Sequence, residues 1–104
     1  IGYRYGAAIA RTNEADVLLK CSSAQVALDK LREGEAIMRP YGNPYNMAEI
    51  LRLICLAQTA LGDFDAAQAA GDEALECSIE LGNEGLQEQV NEALSALAAA
   101  RVSS

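Results

Sequence analysis

The chain has 104 residues, a formal net charge of −7 and 51% hydrophobic residues, a composition that suits one small folded domain and is not that of a disordered chain. It has no histidine, which excludes a Ser-His-Asp or Cys-His catalytic pair and any histidine-ligated zinc site. The acidic balance argues against nonspecific nucleic-acid binding and against docking on anionic lipid.

Read in chain order, the sequence predicts five helices. The first spans about 3–20, or starts later, near Thr12, Asn13 and Asp16, after a looser segment. Ser22-Ser23 forms a turn and supplies the cap of a second helix, 23–39, with Ala24, Ala27, Leu28, Leu31 and Met38 on one face. Pro40-Tyr41-Gly42-Asn43-Pro44 is the strongest break, because neither proline fits a helix interior and Gly42 suits a left-handed stop. The third helix runs over 44–61. Its Met47, Ile50, Leu51, Leu53, Ile54, Cys55, Leu56 and Ala57 are apolar almost all round, so it must be covered on more than one side. It is therefore expected to be central, packed by the helix before it and the helix after it. Gly62-Asp63 ends it, and Asp63 is placed to cap a fourth helix, 64–81. Gly82-Asn83 makes the next stop before a last helix, 84–101, with the stripe Leu86, Val90, Ala93, Leu94 and Leu97. Ser103 and Ser104 are a frayed tail.

The chain echoes itself at an offset of about 40 residues, the length of a two-helix solenoid repeat. Tyr41-Gly42-Asn43 returns as Leu81-Gly82-Asn83, Ala27 falls on Ala67, and Ile50 falls on Val90. This divides the domain into a repeat over 3–40, a repeat over 44–81 and a terminal helix over 84–102. Nothing in the sequence follows to cover that terminal helix. Self-association through Leu86, Val90, Leu94 and Leu97 is therefore expected.

Residues 47–81 resemble a tetratricopeptide repeat, a family that pairs antiparallel helices around a bulky–small pattern with a Gly-Asp-aromatic turn. Leu51 and Ile54 take the bulky positions and Cys55 the small one. Gly62-Asp63-Phe64-Asp65 matches the turn, Ala67 the point of close helix approach, and Ala74-Leu75 the pair near the end. Small residues let two helix axes come to the short end of the ~8–10 Å packing range. The chain departs from the pattern at Gln58, where an aromatic is usual, at Gly71, where a bulky residue is usual, and at Ile79, which replaces a closing proline. The long repeat is similar to those attached to bacterial signalling ATPases, cyclases and transcription regulators. The resemblance implies an all-α fold, a right-handed superhelix of antiparallel helix pairs. It implies a noncatalytic module that binds a protein or peptide segment, or other domains of its own parent chain. In that family the first helix of each unit lines the concave groove, which here implies Glu49, Arg52, Leu56 and Thr59, with Gln89, Glu92 and Ala96 on the terminal helix. Arg52, the cation of that neighbourhood, is the candidate reader of a partner carboxylate, unless it pairs with Glu49. A small ligand-sensing or enzymatic helical bundle, with a polar pocket between the first and third helices, and a plain structural bundle are the alternatives.

No catalytic, metal or cofactor site is expected. Asp72, Glu73 and Glu76 could share a side of one helix as an acid pair would, but with no basic or nucleophilic group fixed nearby they read as its solvated outer face. Between Arg52 and Arg101 there is no Lys or Arg, and Glu84, Glu88 and Glu92 form one acidic strip, which reads as a solubilising face or as a docking strip for a basic partner. No Gly-Lys-Ser/Thr follows any glycine pair, so no phosphate loop is present. Cys55 and Cys77 read as small buried fillers, and Cys21, at a helix end, as the more exposed thiol. Tyr41 and Tyr45 are expected to cap the packed layer between repeats or to stack on a ligand. The three cysteines lack metal-knuckle or disulfide-framework spacing, which points to a reducing, cytoplasmic setting. No apolar run reaches the ~18 residues of a membrane span, and no leader is expected. Ile1 in place of Met leads to the expectation of a piece of a longer protein.

Overall fold

Three left-handed glycines frame the chain. In the computed structural model, which describes residues 23–103, Gly42, Gly62 and Gly82 have φ of 67, 81 and 67°, the region a Cβ makes costly. They stand twenty residues apart, and each ends a helical segment. After Gly62 the Asp63 N–H donates to the Gln58 carbonyl (2.9 Å) while the Gly62 N–H donates to Thr59 (3.1 Å). The same pair of bonds closes the helix before Gly82, from Asn83 to Ser78 (3.2 Å) and from Gly82 to Ile79 (2.9 Å). These are Schellman closures, which satisfy carbonyls that the helix itself leaves unpaired.

The helices between these stops are α1 (Ala24–Met38), α2 (Pro44–Leu61), α3 (Phe64–Leu81) and α4 (Glu84–Ser103), with a 3₁₀ turn Arg39–Tyr41 after α1. The described residues are all-helical, without a strand. Pro44 opens α2 at its first position, where a missing N–H costs nothing. Pro40 sits in the 3₁₀ turn. Two asparagines cap: Asn43 Oδ1 accepts from the Asn46 N–H (3.1 Å) and Asn83 Oδ1 from the Leu86 N–H (3.0 Å). Asp63 and Ser23 occupy the same position before α3 and α1, but neither side chain makes a capping bond, which corrects the expectation for both. The last helix continues to Ser103, past the expected 101. The expected helix over 3–20, with Ser22 and Cys21, lies outside the described residues.

The twenty-residue spacing of the glycines extends to the core. Ala27, Leu31, Gly34 and Met38 are buried in α1. Twenty residues on, Met47, Leu51, Ile54 and Gln58 are buried in α2. Twenty further, Ala67, Gly71, Ala74 and Ser78 are buried in α3. Helix α2 buries a second stripe as well, Ile50, Leu53 and Ala57, and its counterpart forty residues on is Val90, Ala93 and Leu97 of α4. One face of α2 thus meets the α1–α3 pair and the other meets α4, and α2 packs against all three. It is the central helix that its apolar circumference demanded.

Helices α3 and α4 are antiparallel and pinned at both ends. Near the start of α4, the Gln87 Nε2 donates to the Ser78 carbonyl (3.4 Å). Near its end, the Arg101 guanidinium donates to the Phe64 carbonyl (3.0 Å) and lies 5.6 Å from the centre of the Phe64 ring. Between those ends, the unusual Gly71 finds its reason. A Cβ there would collide with Leu94 Cδ2 and press to 3.2 Å on Cys55 Sγ. The glycine is a socket that lets Leu94 of α4 reach the α2–α3 seam.

That docking places the apolar stripe of α4. Leu86, Val90 and Leu97 are 4%, 0% and 0% exposed within the single chain, and Leu94 is half-buried in the Gly71 socket. An amphipathic helix joined by a two-residue turn spends most of its stripe on its own hairpin, so Leu86, Val90 and Leu97 are buried within the single chain and Leu94 alone keeps some open surface. Tyr41 and Tyr45 are also more open than capping residues would be, at 44% and 48% exposure.

Candidate functional site

Two surfaces carry accessible chemistry. The first lies on α2 and α4, which pack side by side. With two stripes of α2 buried, the helix keeps one open edge, and Glu49, Arg52, Leu56 and Thr59 are its half-buried residues. Gln89, Glu92 and Ala96 are exposed on α4, and so are Glu84 and Glu88. Glu88, Asn91, Glu92 and Ser95 line a shallow, open depression there.

The geometry narrows what each of these residues offers. Arg52 Nε is 3.4 Å from Glu49 Oε1, one helical turn away, so its charge is turned to a carboxylate of its own chain. The Thr59 hydroxyl donates to the Cys55 carbonyl (2.8 Å) and is thereby held to the helix. Leu56 packs on the edge of the core. What remains open over the first half of α4, at Glu84, Glu88, Gln89, Asn91 and Glu92, is polar and acidic, whereas Ala96, Ala98, Ala99 and Val102 are exposed further on.

The second surface is a groove of about 240 Å³ between α1 and α3, floored by α2. Leu51, Ile54 and Gln58 form the floor, and Ala66 and Ala70 line the α3 wall. Arg32 and Glu35 stand on the α1 rim and Glu73 on the α3 rim. Arg39 ties the rims together. Its guanidinium is 2.9 Å from Glu73 and also pairs with Glu35, one turn back on α1. The Glu73 bond, then the Glu35 bond, stabilise the charged guanidinium and push its pKa further up.

Gln58 is the anomaly of this groove. It is 2% exposed, and its Oε1 is buried with no hydrogen-bond partner. The equivalent positions are Met38, which is apolar, and Ser78, whose hydroxyl donates to the Leu75 carbonyl (2.8 Å). Sequence reasoning marked Gln58 as a departure from a repeat pattern but did not see a site in it. The signal was a glutamine in a register where the neighbouring helices bury Met38 and Ser78. Arg39 was also missed, because its two partners are brought together only by the approach of α1 and α3.

The paired-acid candidate does not assemble. Glu73 is taken by Arg39, and Asp72 Oδ1 accepts from Gln68 Nε2 (2.9 Å). Among the described residues, no cluster of three or more His, Cys, Asp or Glu side chains could hold a metal ion. Cys55 is buried and Cys77 half-buried, both as free thiols. Burial pushes both thiols up from 9.0. Glu73 adds to the effect at Cys77, and the Thr59 hydroxyl partly offsets it at Cys55. Both are thus poor nucleophiles at neutral pH. No helix of the described residues is long and apolar enough to cross a membrane. The polar pocket expected between the first and third predicted helices would need residues outside the described range. No protein-family model matches the chain, and neither a curated protein nor a solved structure matches it.

Proposed function

We propose that this chain is a noncatalytic protein–protein interaction module, a short tetratricopeptide-like array that docks a basic segment of a partner, or of a larger regulatory protein containing it, on the α2–α4 face. The observation that carries this reading is the acidic, polar outer face of α4 beside the open edge of α2. Glu84, Glu88 and Glu92 stand exposed at one-turn spacing, and no Lys or Arg occurs between Arg52 and Arg101. The regular placement of buried positions at twenty and forty residues supports a repeat architecture, and a right-handed superhelix of helix pairs is the arrangement we favour for it. The free thiols of Cys55 and Cys77 suit a reducing, cytoplasmic setting.

The partner would be recognised by charge at the face and positioned by Leu56 and Thr59 at its edge, without bond making or breaking. A Lys/Arg-rich peptide, titrated into ¹⁵N-labelled protein, is expected to shift amide resonances of α4 and of the α2 edge. Binding should weaken as salt rises, because the contacts are exposed. Glu88→Lys combined with Glu92→Lys should reduce affinity by at least about tenfold, through loss of attraction and gain of repulsion. Equal binding by that variant, or shifts confined to α1 and α3, would refute the α2–α4 face.

A further inference from the structure

Helix α4 carries two seams on opposite sides. Leu86, Val90, Ala93 and Leu97 recur at intervals of four, three and four residues and are buried in the fold. Glu84, Glu88, Asn91, Ser95, Ala98 and Val102 recur at four, three, four, three and four, and all of them are exposed. That alternation is the spacing at which one helix receives another. Forty residues earlier, the same seam of α2 contains Ala48, Leu51, Cys55 and Gln58, all buried in a helix that packs against its three neighbours. The outer seam of α4 thus keeps the register that α2 uses for packing, but faces solvent. Its character changes along its length, from acidic at Glu84 and Glu88 to apolar at Ala98 and Val102, the last 87% exposed. The small side chains of Ser95 and Ala98 let a second backbone come to the short end of the ~8–10 Å packing range. A second copy of this chain does not supply the complement. Its own α4 repeats the acids, and Arg101, the cation of that helix, is turned to the Phe64 carbonyl and ring.

We propose that the outer seam of α4 binds an amphipathic helix of a partner protein, antiparallel to α4, with bulky apolar residues in its first half against Ser95, Ala98 and Val102 and Lys or Arg in its last half against Glu84 and Glu88. This rests on the reading of the outer face of α4 as a docking surface, and adds the conformation, polarity and direction of what docks. The direction follows from the helix dipole. Lys and Arg stabilise the C-terminal end of the helix that carries them, so the basic end of the partner is its C-terminus. Set against Glu84 in the first turn of α4, that end makes the two helices antiparallel, as α3 and α4 are. The seam from Glu84 to Val102 is about 27 Å long. One helix there covers less than the ~800 Å² per partner of a standard interface, so the complex is a transient one whose encounter is steered by charge.

The probe is acetyl-Leu-Ala-Gln-Ala-Leu-Ala-Gln-Leu-Ala-Ala-Gln-Gln-Ala-Ala-Lys-Ala-Ala-Lys-Lys-amide, whose leucines and lysines follow the seam in reverse order. Its comparator has the same residues scrambled so that no seam forms. Titrated into ¹⁵N-labelled protein, the probe should give saturable shifts along α4, with the comparator at least about tenfold weaker because it buries no apolar stripe. A nitroxide at the N-terminus of the probe should broaden the amides of residues 98–102 and spare those of 84–88. Ala98→Gln with Val102→Gln, both at exposed positions, should keep the thermal midpoint and bring the probe down to the affinity of the comparator. Glu88→Lys with Glu92→Lys should weaken both peptides. Equal binding of the two peptides, or broadening at 84–88 instead, would overturn the antiparallel helix while leaving the acidic face as a docking surface. Binding by neither peptide would overturn both readings. Concentration-dependent shifts along the outer seam without peptide would make a second copy the occupant and overturn the proposal as well.

Discussion

Helices α2 and α4 are the same element met twice. They share the buried positions Ile50/Val90, Leu53/Ala93 and Ala57/Leu97, forty residues apart. The bulky and small residues change places between the last two pairs. The difference is coverage. Helix α2 also buries Met47, Leu51, Ile54 and Gln58 against α1 and α3, whereas the equivalent residues of α4 are Gln87, Asn91, Leu94 and Ala98, none of them fully buried. One register, packed on two sides, makes a core helix; packed on one side, it makes a helix whose outer face is polar and free to meet something else. Polar chemistry among the described residues thus lies on the outer face of α4 and at Gln58, where a polar side chain interrupts the buried pattern.

The comparison breaks first under cavity formation. Leu53→Ala, in the doubly covered helix, should cost about 3–5 kcal/mol, because neighbours on both sides prevent collapse. Leu97→Ala, in the singly covered helix, should cost about 2–3 kcal/mol, because α4 can settle toward the hairpin. Urea titrations of the two variants measure this. A larger loss for Leu97→Ala would mean that α4, not α2, is the keystone of the fold.

A second pair of substitutions sharpens the view of how α4 docks. Helical glycine normally costs ~1 kcal/mol relative to alanine, so Gly→Ala is usually stabilising. At Gly85, in the first turn of α4, an added methyl meets nothing nearer than Asn83 Oδ1 at 3.6 Å, and Gly85→Ala should stabilise by about 0.5–1 kcal/mol. At Gly71 the same methyl would enter the space of Leu94, so Gly71→Ala should destabilise by about 1–2 kcal/mol instead. Leu94→Ala should relieve that clash, so that the double variant loses less than the sum of the single ones.

These residues also show what could be read without coordinates. The limits of α2 and α3 were legible to the residue, because Pro44, Gly62 and Gly82 act through local backbone geometry. The central place of α2 was legible because an all-round apolar helix has one solution. Gly71 was legible only as an oddity, since its reason is the reach of Leu94, a residue more than six turns of helix away along the chain. The stripe of α4 was visible, but not the neighbour it chooses, because the approach of α4 to α2 and α3 is a property of the folded chain. The Gln58–Arg32 groove was invisible because it exists only in the spacing between α1 and α3. Asp63 looked like a cap on composition, yet the Schellman closure through its own N–H already organises that turn.

The smallest expected effect tests the same pair of helices by chemistry. Cys55 in α2 and Ser95 in α4 occupy one register, the first fully buried and the second exposed. Burial raises the Cys55 thiol above 9.0. In the folded state it therefore holds its proton to higher pH than in the unfolded chain. The stabilisation linked to that neutral thiol is complete below the unfolded value of about 8.5–9 and is lost as pH rises through the folded value. Thermal midpoints should thus fall above about pH 9, and less steeply in Cys55→Ala. In Ser95→Cys, iodoacetamide at pH 8 should modify Cys77 slowly, Cys55 only after unfolding, and the new thiol at residue 95 readily, as peptide mapping by mass spectrometry would resolve. Fast modification of Cys55 in the folded protein would mean that α2 opens to solvent on its own. The contrast between a helix held on two sides and one held on a single side would then be a matter of time-averaged position and not of stability.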